Sequence, residues 1–234
     1  MSRNPGTASP APPRSMALIG TLGGIAIMSG LLVATTFQLT RERILQNRRE
    51  ALERAVFEVL PEATNRRSFF LNEEGLQALA DDALGQASLY AGYDDSGALT
   101  GVAIEGSARG YQDVVKVLYG YSLERECITG MTVLQSSETP GLGDRVETDP
   151  AFQANFECLD ARLNSESTAL VQEIVTVKHG KKTDSWQIDA ISGATVTSAA
   201  VGHALQQSAS EILPLLHRYE AALYENTAEE RTSP

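Results

Sequence analysis

The chain of 234 residues is long enough for one folded domain or two small ones, and its composition excludes several classes of function. Thirty acidic residues outnumber 19 basic ones, and the net charge of −11 argues against binding to the phosphate backbone of nucleic acids. The cysteines form no CxxC motif and the histidines form no HExxH motif, so we expect no metal site. A hydrophobic fraction of 42% excludes a disordered chain.

An uncharged segment near the N-terminus predicts a membrane anchor. No charged residue occurs between Arg14 and Arg41, and a helix of about 20 apolar residues crosses a bilayer. The apolar region of a cleaved signal peptide is shorter, about 7–15 residues, and a buried core helix is the other alternative. We therefore predict a disordered tail over residues 1–14 and a single transmembrane helix over residues 15–40.

Arginines on the two sides of this segment bear on its orientation. Two precede it and five follow it, at positions 41, 43, 48, 49 and 54. Basic residues near a membrane span favour the cytoplasmic side. Taken alone, the count predicts that the C-terminal body is cytoplasmic.

The remaining chain predicts an α+β domain over residues 62–225, preceded by a juxtamembrane helix over 41–61 and followed by a frayed tail over 226–234. Apolar residues at helical spacing indicate the juxtamembrane helix, which continues the span. A polar loop over 62–67 and a short helix over Leu76–Leu84 follow. We also predict a long last helix over Thr197–Tyr224, which Pro214 kinks or splits.

Alternating and β-branched segments predict an antiparallel-rich sheet with flanking helices. The turn Asp95-Ser96-Gly97 is typical of a hairpin between two such segments. The predicted strand segments are Ala91–Asp94, Leu99–Ile104, Val114–Tyr119, Ile128–Leu134, Leu170–Lys178 and one beginning at Trp186.

Residues 189–198, with the sequence Asp-Ala-Ile-Ser-Gly-Ala-Thr-Val-Thr-Ser, join the last strand to the last helix. The N-terminus of a helix presents free N–H groups and a partial positive charge, which favour phosphate. Gly193 and Ala194 allow a ligand to approach the backbone closely. From the residues alone, the alternative is that Thr197 or Ser198 only caps the helix.

The string Asp-x-x-Ser-Gly-Ala-Thr over residues 189–195 resembles the flavinylation motif of the FMN-binding-domain family. This family includes the G subunit of Rnf-type ion-translocating oxidoreductases and the C subunit of sodium-translocating NADH:quinone reductases. The resemblance implies that FMN is attached through a phosphoester to Thr195. It also implies a dedicated flavin transferase that uses FAD, with Asp189 aiding the transfer. The other site residues implied in this segment are Ser192, Gly193 and Ala194.

A second segment, residues 138–143, resembles the loop that faces the flavin in the same family. Proline and glycine favour a tight turn whose backbone can lie against a flat ring. The site residues implied here are Glu138, Thr139, Pro140, Gly141, Leu142 and Gly143. Tyr111 also matches a family position, whereas residues 112–114 and the segment after Phe152 depart from the family pattern. The resemblance covers about residues 89–205 and favours the Rnf-type G subunit.

The resemblance implies an electron-transfer subunit of a membrane-bound, ion-translocating oxidoreductase complex. The chain lacks a glycine-rich dinucleotide fingerprint, so it should not oxidise NADH by itself or hold a complete active site. Its partners would be the other subunits, the flavin transferase and membrane lipid. Two alternatives stay open: a free-standing membrane-anchored flavinylated carrier, and a flavin-free membrane-anchored scaffold.

In this family the FMN domain lies outside the bacterial inner membrane, which implies a periplasmic body for this chain, against the arginine count. Cys127 and Cys158 could form a disulfide in such an oxidising compartment. Their positions in the sequence do not show that they are close, so the pairing stays open.

Overall fold

A computed structural model describes residues 15–79 and 87–224. These residues divide into two compact units on either side of the bond between Arg48 and Arg49. The tails predicted over residues 1–14 and 226–234 lie outside the described residues, as does the second half of the predicted helix Leu76–Leu84. The finer domain boundaries, at residues 40, 61 and 225, remain predictions.

The first helix, α1, spans Ser15–Val59 without interruption. It is long and apolar enough to cross a membrane, with a mean hydropathy of 2.1 in its most apolar window, none of which is buried. The anchor and the juxtamembrane helix predicted from the sequence are therefore parts of one helix. The helix ends two residues before Pro61.

A seven-stranded antiparallel sheet forms the centre of the second unit, with the strand order β2-β1-β3-β4-β5-β6-β7. The antiparallel-rich α+β fold expected from the sequence is confirmed. The strands of this sheet are β1 (Asn65–Asn72), β2 (Gly75–Leu79), β3 (Leu89–Tyr93), β4 (Leu99–Arg109), β5 (Val114–Ser122), β6 (Cys127–Gln135) and β7 (Leu159–Asp160).

Helices cover both faces of this sheet. The side chains of a strand alternate between the two faces of the sheet. Tyr90 of β3 is buried on one face, and Tyr119 of β5 is buried on the other. The end of α1, including Val56 and Val59, packs on the face that contains Tyr90. The last helix, α4 (Thr195–Tyr219), packs on the other face, where the Tyr119 hydroxyl donates to Ser208 Oγ at 3.0 Å.

The connection from β6 to β7 contains helices α2 (Arg145–Thr148) and α3 (Pro150–Gln153) and a 3-10 helix over Ala154–Phe156. Cys127 at the start of β6 forms a disulfide with Cys158, the last residue of this connection. The pairing that the sequence left open is therefore present. It covalently ties the connection to the sheet.

Several local predictions were wrong. Residues 65–67 begin β1 rather than a loop, because they pair with β3. Leu76–Leu79 belong to β2 rather than to a helix, because they pair with β1. In the segment Leu170–Lys178 only β8 (Val175–Val177) is a strand, and it pairs in parallel with β9 (Gln187–Asp189).

The last helix also differs from its prediction. It begins at Thr195 and continues through Pro214 to Tyr219, so Pro214 does not split it. Leu213 and Leu216 are buried on either side of the proline, and their burial offsets the hydrogen bond that proline cannot make.

Candidate functional site

Three segments that are distant in the sequence meet around one cleft of about 380 Å³. They are the loop between β4 and β5, the loop after β6, and the N-terminus of α4. The lining residues are Tyr111, Glu138, Thr139, Leu142, Gly143, Gly193, Ala194, Thr195, Val196 and Thr197. Both segments singled out in the sequence therefore contribute to the same cleft.

Glu138 links the three segments. Its carboxylate is buried and accepts a hydrogen bond from the Thr197 hydroxyl at 2.7 Å and another from the Gln112 backbone N–H at 3.0 Å. A Cβ at Gly110 would lie 2.5 Å from Glu138 Oε1, and a Cβ at Gly143 would lie 2.6 Å from Glu138 Cβ. These two glycines are therefore required by the space that Glu138 occupies.

The Glu138 carboxyl is held in its charged form. Burial by itself would raise its pKa, but hydrogen bonds from the Thr197 hydroxyl and from the backbone N–H groups of Gln112, Asp113 and Tyr111 together lower the pKa below its ordinary value. The cleft therefore has a fixed negative charge in its wall at neutral pH.

The hydroxyl groups at the start of α4 differ in accessibility. Thr197 is 2% exposed and donates to Glu138, and Ser198 is fully buried, with its hydroxyl between Ile191 N–H and the Ala194 carbonyl. Thr195 is exposed, and its hydroxyl forms no hydrogen bond with other described residues. The expectation that Thr197 or Ser198 is the N-cap of the helix is wrong, because the N-cap is Ala194, whose side chain makes no capping hydrogen bond.

Asp189 lies beside the cleft rather than in its lining. Its Oδ1 accepts the backbone N–H of Gly180 at 2.7 Å, and its Oδ2 lies 3.4 Å from His179 Nδ1. The side chain of Asn155 brackets the backbone of Asp189, accepting its N–H at 2.9 Å and donating to its carbonyl at 3.3 Å. The predicted role of Asp189 in flavin transfer stays a prediction.

The remaining residues predicted for the site shape its two loops. Gly141 and Gly193 have φ angles of +79° and +87°, a region that favours glycine. Pro140 precedes the first of these, and the Ser192 carbonyl accepts a hydrogen bond from Arg145 at 3.2 Å. Of these four residues, only Gly193 lines the cleft.

Sequence reasoning missed three contributors to the site. The sequence predicts only a capping role for Thr197, Gln112 lies in a segment that departs from the family pattern, and no pattern in the sequence indicates Asn155. The Gln112 side chain also donates to Thr139 Oγ1 at 2.7 Å, which ties its loop to the loop after β6. The spacing Thr-x-Thr at a helix start was the one available signal.

Exposed apolar side chains surround the cleft. Tyr111 is 72% exposed, Leu142 is 52% exposed and Val196 is 54% exposed, although all three are large and apolar. Exposed apolar groups around a concave surface are typical of a ligand site. The cleft therefore combines exposed apolar side chains with the N-terminus of α4, which favours an anionic group.

Comparisons with known proteins agree with this geometry. A model of the FMN-binding domain matches residues 110–210, which include the whole cleft lining, and a model of the RnfG N-terminal region matches residues 20–59. The G subunit of the ion-translocating oxidoreductase complex of Methanosarcina acetivorans is 32% identical over 191 residues, which cover 82% of this chain and 90% of that protein. The chain belongs to the RnfG family, the G subunits of ion-translocating oxidoreductase complexes.

Two further similarities agree with membership of the RnfG family. The G subunit of the ion-translocating oxidoreductase complex of Vibrio vulnificus is 29% identical over 195 residues, covering 80% of this chain and 84% of that protein. The crystal structure of the C subunit of a Na⁺-translocating NADH-quinone reductase from Parabacteroides distasonis aligns with a TM-score of 0.57, at 19% identity, over 74% of this chain and 96% of that chain. The second similarity shows a shared fold.

Proposed function

We propose that this RnfG-family chain carries one FMN as a phosphoester on Thr195 and transfers electrons within a membrane-bound, ion-translocating oxidoreductase complex. One observation carries the proposal: Thr195 is exposed in the cleft where the two family segments meet, whereas the neighbouring hydroxyls of Thr197 and Ser198 are buried and hydrogen-bonded. A modifying enzyme can therefore reach one of the three.

The start of α4 suits the phosphate of FMN. Thr195 is the first residue of a helix of 25 residues, and the N-cap Ala194 offers no side-chain acceptor to the free N–H groups. Gly193 leaves open space beside the backbone. A phosphate on Thr195 would lie near the positive end of the helix dipole, which favours anions.

Attachment is a phosphoryl-group transfer without oxidation or reduction. The Thr195 hydroxyl oxygen would bond to the FMN phosphorus of FAD, the bond from that phosphorus to the bridging oxygen would break, and AMP would leave with that oxygen. The hydroxyl proton passes to solvent or to the leaving phosphate. We assign this step to a separate flavin transferase, the enzyme that the family resemblance implies.

Once attached, FMN supplies one- and two-electron chemistry, and the chain supplies its position. The exposed side chains of Tyr111, Leu142 and Val196 would pack against the isoalloxazine ring. Glu138 keeps the walls of the cleft at a fixed separation through Thr197 and Gln112. Thr139 lines the cleft and offers a polar group to the ring.

The proposal is tested by expressing the full chain with and without a flavin transferase. We expect a fluorescent band on an illuminated denaturing gel only when the transferase is present, and a flavin-bearing peptide that contains Thr195 on mass spectrometry. A chain that binds no flavin under both conditions would support the scaffold alternative.

We also propose that the chain after the span, residues 41–234, lies outside the cytoplasm. The disulfide between Cys127 and Cys158 supports this orientation, because disulfides persist in oxidising compartments and are rare in the bacterial cytosol. The five arginines after the span favour the opposite orientation. We give the disulfide more weight because the arginine count is a statistical bias. The proposed partners are the other subunits of the complex and the lipid around α1.

A topology experiment distinguishes the two orientations. We expect a phosphatase fused after Tyr224 to be active, because this reporter folds only after export. A second readout is the thiol content of the denatured chain, and we expect both cysteines to resist alkylation until a reductant is added. An inactive fusion at normal expression, together with freely alkylated cysteines, would place the body in the cytoplasm.

A further inference from the structure

Most lysines of this acidic chain lie in one turn. The chain contains four lysines, and Lys178, Lys181 and Lys182 lie within the sequence Lys-His-Gly-Lys-Lys. All five of these residues, 178–182, are exposed, and we call them the basic turn. Over residues 178–189 three lysines outnumber the two carboxylates of Asp184 and Asp189, so this segment is net positive on a chain with a net charge of −11, and a positive surface attracts acidic groups.

The basic turn is fixed to the start of the flavinylation segment. Asp189 Oδ1 accepts the backbone N–H of Gly180 at 2.7 Å and that of Lys181 at 3.4 Å. The His179 ring contacts Ala190, the residue after Asp189, with Nδ1 3.1 Å from the Ala190 carbonyl oxygen. The basic turn is therefore held against Asp189 and Ala190, the first two residues of the segment that leads to Thr195.

Two of the three lysines are available to a partner. The Lys182 ammonium donates to Asn155 Oδ1 at 3.1 Å and so has a structural role beneath Asp189. Within the described part of the chain, the ammonium groups of Lys178 and Lys181 have neither a hydrogen bond nor a salt bridge. The nearby carboxylate of Asp184 accepts hydrogen bonds from Thr183 and Gln187 instead.

We infer that the basic turn is the docking surface for the flavin transferase, which contacts Lys178 and Lys181 through acidic side chains. The inference rests on the proposed function, because the enzyme must reach Thr195 at the end of the segment that Asp189 begins. Charges at the edge of a protein–protein interface act mainly on the rate of association. Their contribution therefore falls as the salt concentration rises.

The experiment measures the initial rate of flavin incorporation into the purified full chain in detergent, prepared without the transferase. Purified transferase and FAD are added, and the chain concentration is varied. The variants are Lys178→Glu, Lys181→Glu and the two together. Arg218→Glu is the matched control for the single variants, since Arg218 is an exposed cation on α4 and its reversal changes the net charge by the same amount as each of them.

We expect each single reversal to raise the KM for the chain about fivefold at low salt, with kcat unchanged, since peripheral charges steer association. The KM of the wild-type chain should rise with added salt, and that of the double variant should not. A Lys178→Gln/Lys181→Gln variant should show a smaller rise in the KM for the chain. This variant replaces the reversed variants in the test if circular dichroism shows that they fold poorly.

Three results would overturn the inference. If the lysine variants have the same KM for the chain as Arg218→Glu, the basic turn has no docking role. If only their kcat falls, the basic turn acts in the transfer step instead. A raised KM for FAD, with an unchanged KM for the chain, would mean that the lysines bind the pyrophosphate of the donor. Absence of flavin in the wild-type chain would instead contradict the proposed function.

Discussion

Replacing Thr195 with valine should abolish the flavin that survives denaturation of the chain. Valine has nearly the shape of threonine but no hydroxyl, so no phosphoester can form. Thr195 is exposed at the start of α4, so the substitution should leave the fold intact. The expected measurement is complete loss of the fluorescent band, with unchanged circular dichroism, after co-expression with the transferase.

Three matched variants show whether the effect is specific. Thr195→Ser retains a hydroxyl and should retain some flavin. Ser192→Ala removes an exposed hydroxyl from the same segment and should retain all of it. Thr197→Val removes a buried hydroxyl and should also be flavinylated. A fluorescent band from Thr195→Val would contradict the assignment and direct the search to the other hydroxyls.

The strands that the sequence predicted well are those with local signals. The hairpin at Asp95-Ser96-Gly97 has its own turn chemistry, since Asp94 Oδ1 accepts the backbone N–H groups of Ser96 and Ala98. The strand β1 has no such signal, because its first residues Asn65, Arg66 and Arg67 are polar and only their pairing with β3 makes them a strand. Periodicity cannot detect a strand of this kind.

The site was predictable as two segments but not as a cleft. Each segment contains residues recognisable in isolation, and the structure brings Glu138 and Thr195 to one lining. The bond between Glu138 and Thr197 joins residues 59 positions apart, so sequence spacing could not indicate it. The contact of Asp189 with the basic turn could not be predicted from the sequence either, because it depends on the parallel pairing of β8 with β9.

Replacing Thr197 with valine should destabilise the second unit by about 2–3 kcal/mol, because a buried carboxylate then loses a charge-assisted hydrogen bond. For a domain of this size, the loss corresponds to a fall of about 5–10 °C in the thermal midpoint. The full chain in detergent is heated at neutral pH and followed by circular dichroism. Ser208→Ala is the control, since the Ser208 hydroxyl bonds only with neutral groups: it donates to the backbone carbonyl of Glu105 and accepts from the Tyr119 hydroxyl.

The cost of losing the Thr197 hydroxyl should depend on pH. The pKa of Glu138 is lowered in the folded chain, so its charged form adds stability that is present above the unfolded value of about 4.3. This contribution is lost as the pH falls through the lower, folded pKa. The difference between wild type and Thr197→Val should therefore shrink below about pH 4, whereas the Ser208→Ala difference should stay constant.

A double-mutant cycle separates the charge of Glu138 from its shape. In Glu138→Gln the amide oxygen can still accept the Gln112 N–H, and the amide nitrogen can donate to the Thr197 hydroxyl oxygen, so both contacts can persist as neutral hydrogen bonds. Adding Thr197→Val to this variant should cost only about 1 kcal/mol, since the hydrogen bond removed is a neutral one. An equal cost in the wild-type and Glu138→Gln backgrounds, without pH dependence, would mean that Thr197 contributes packing alone and that the carboxylate is held by its backbone partners.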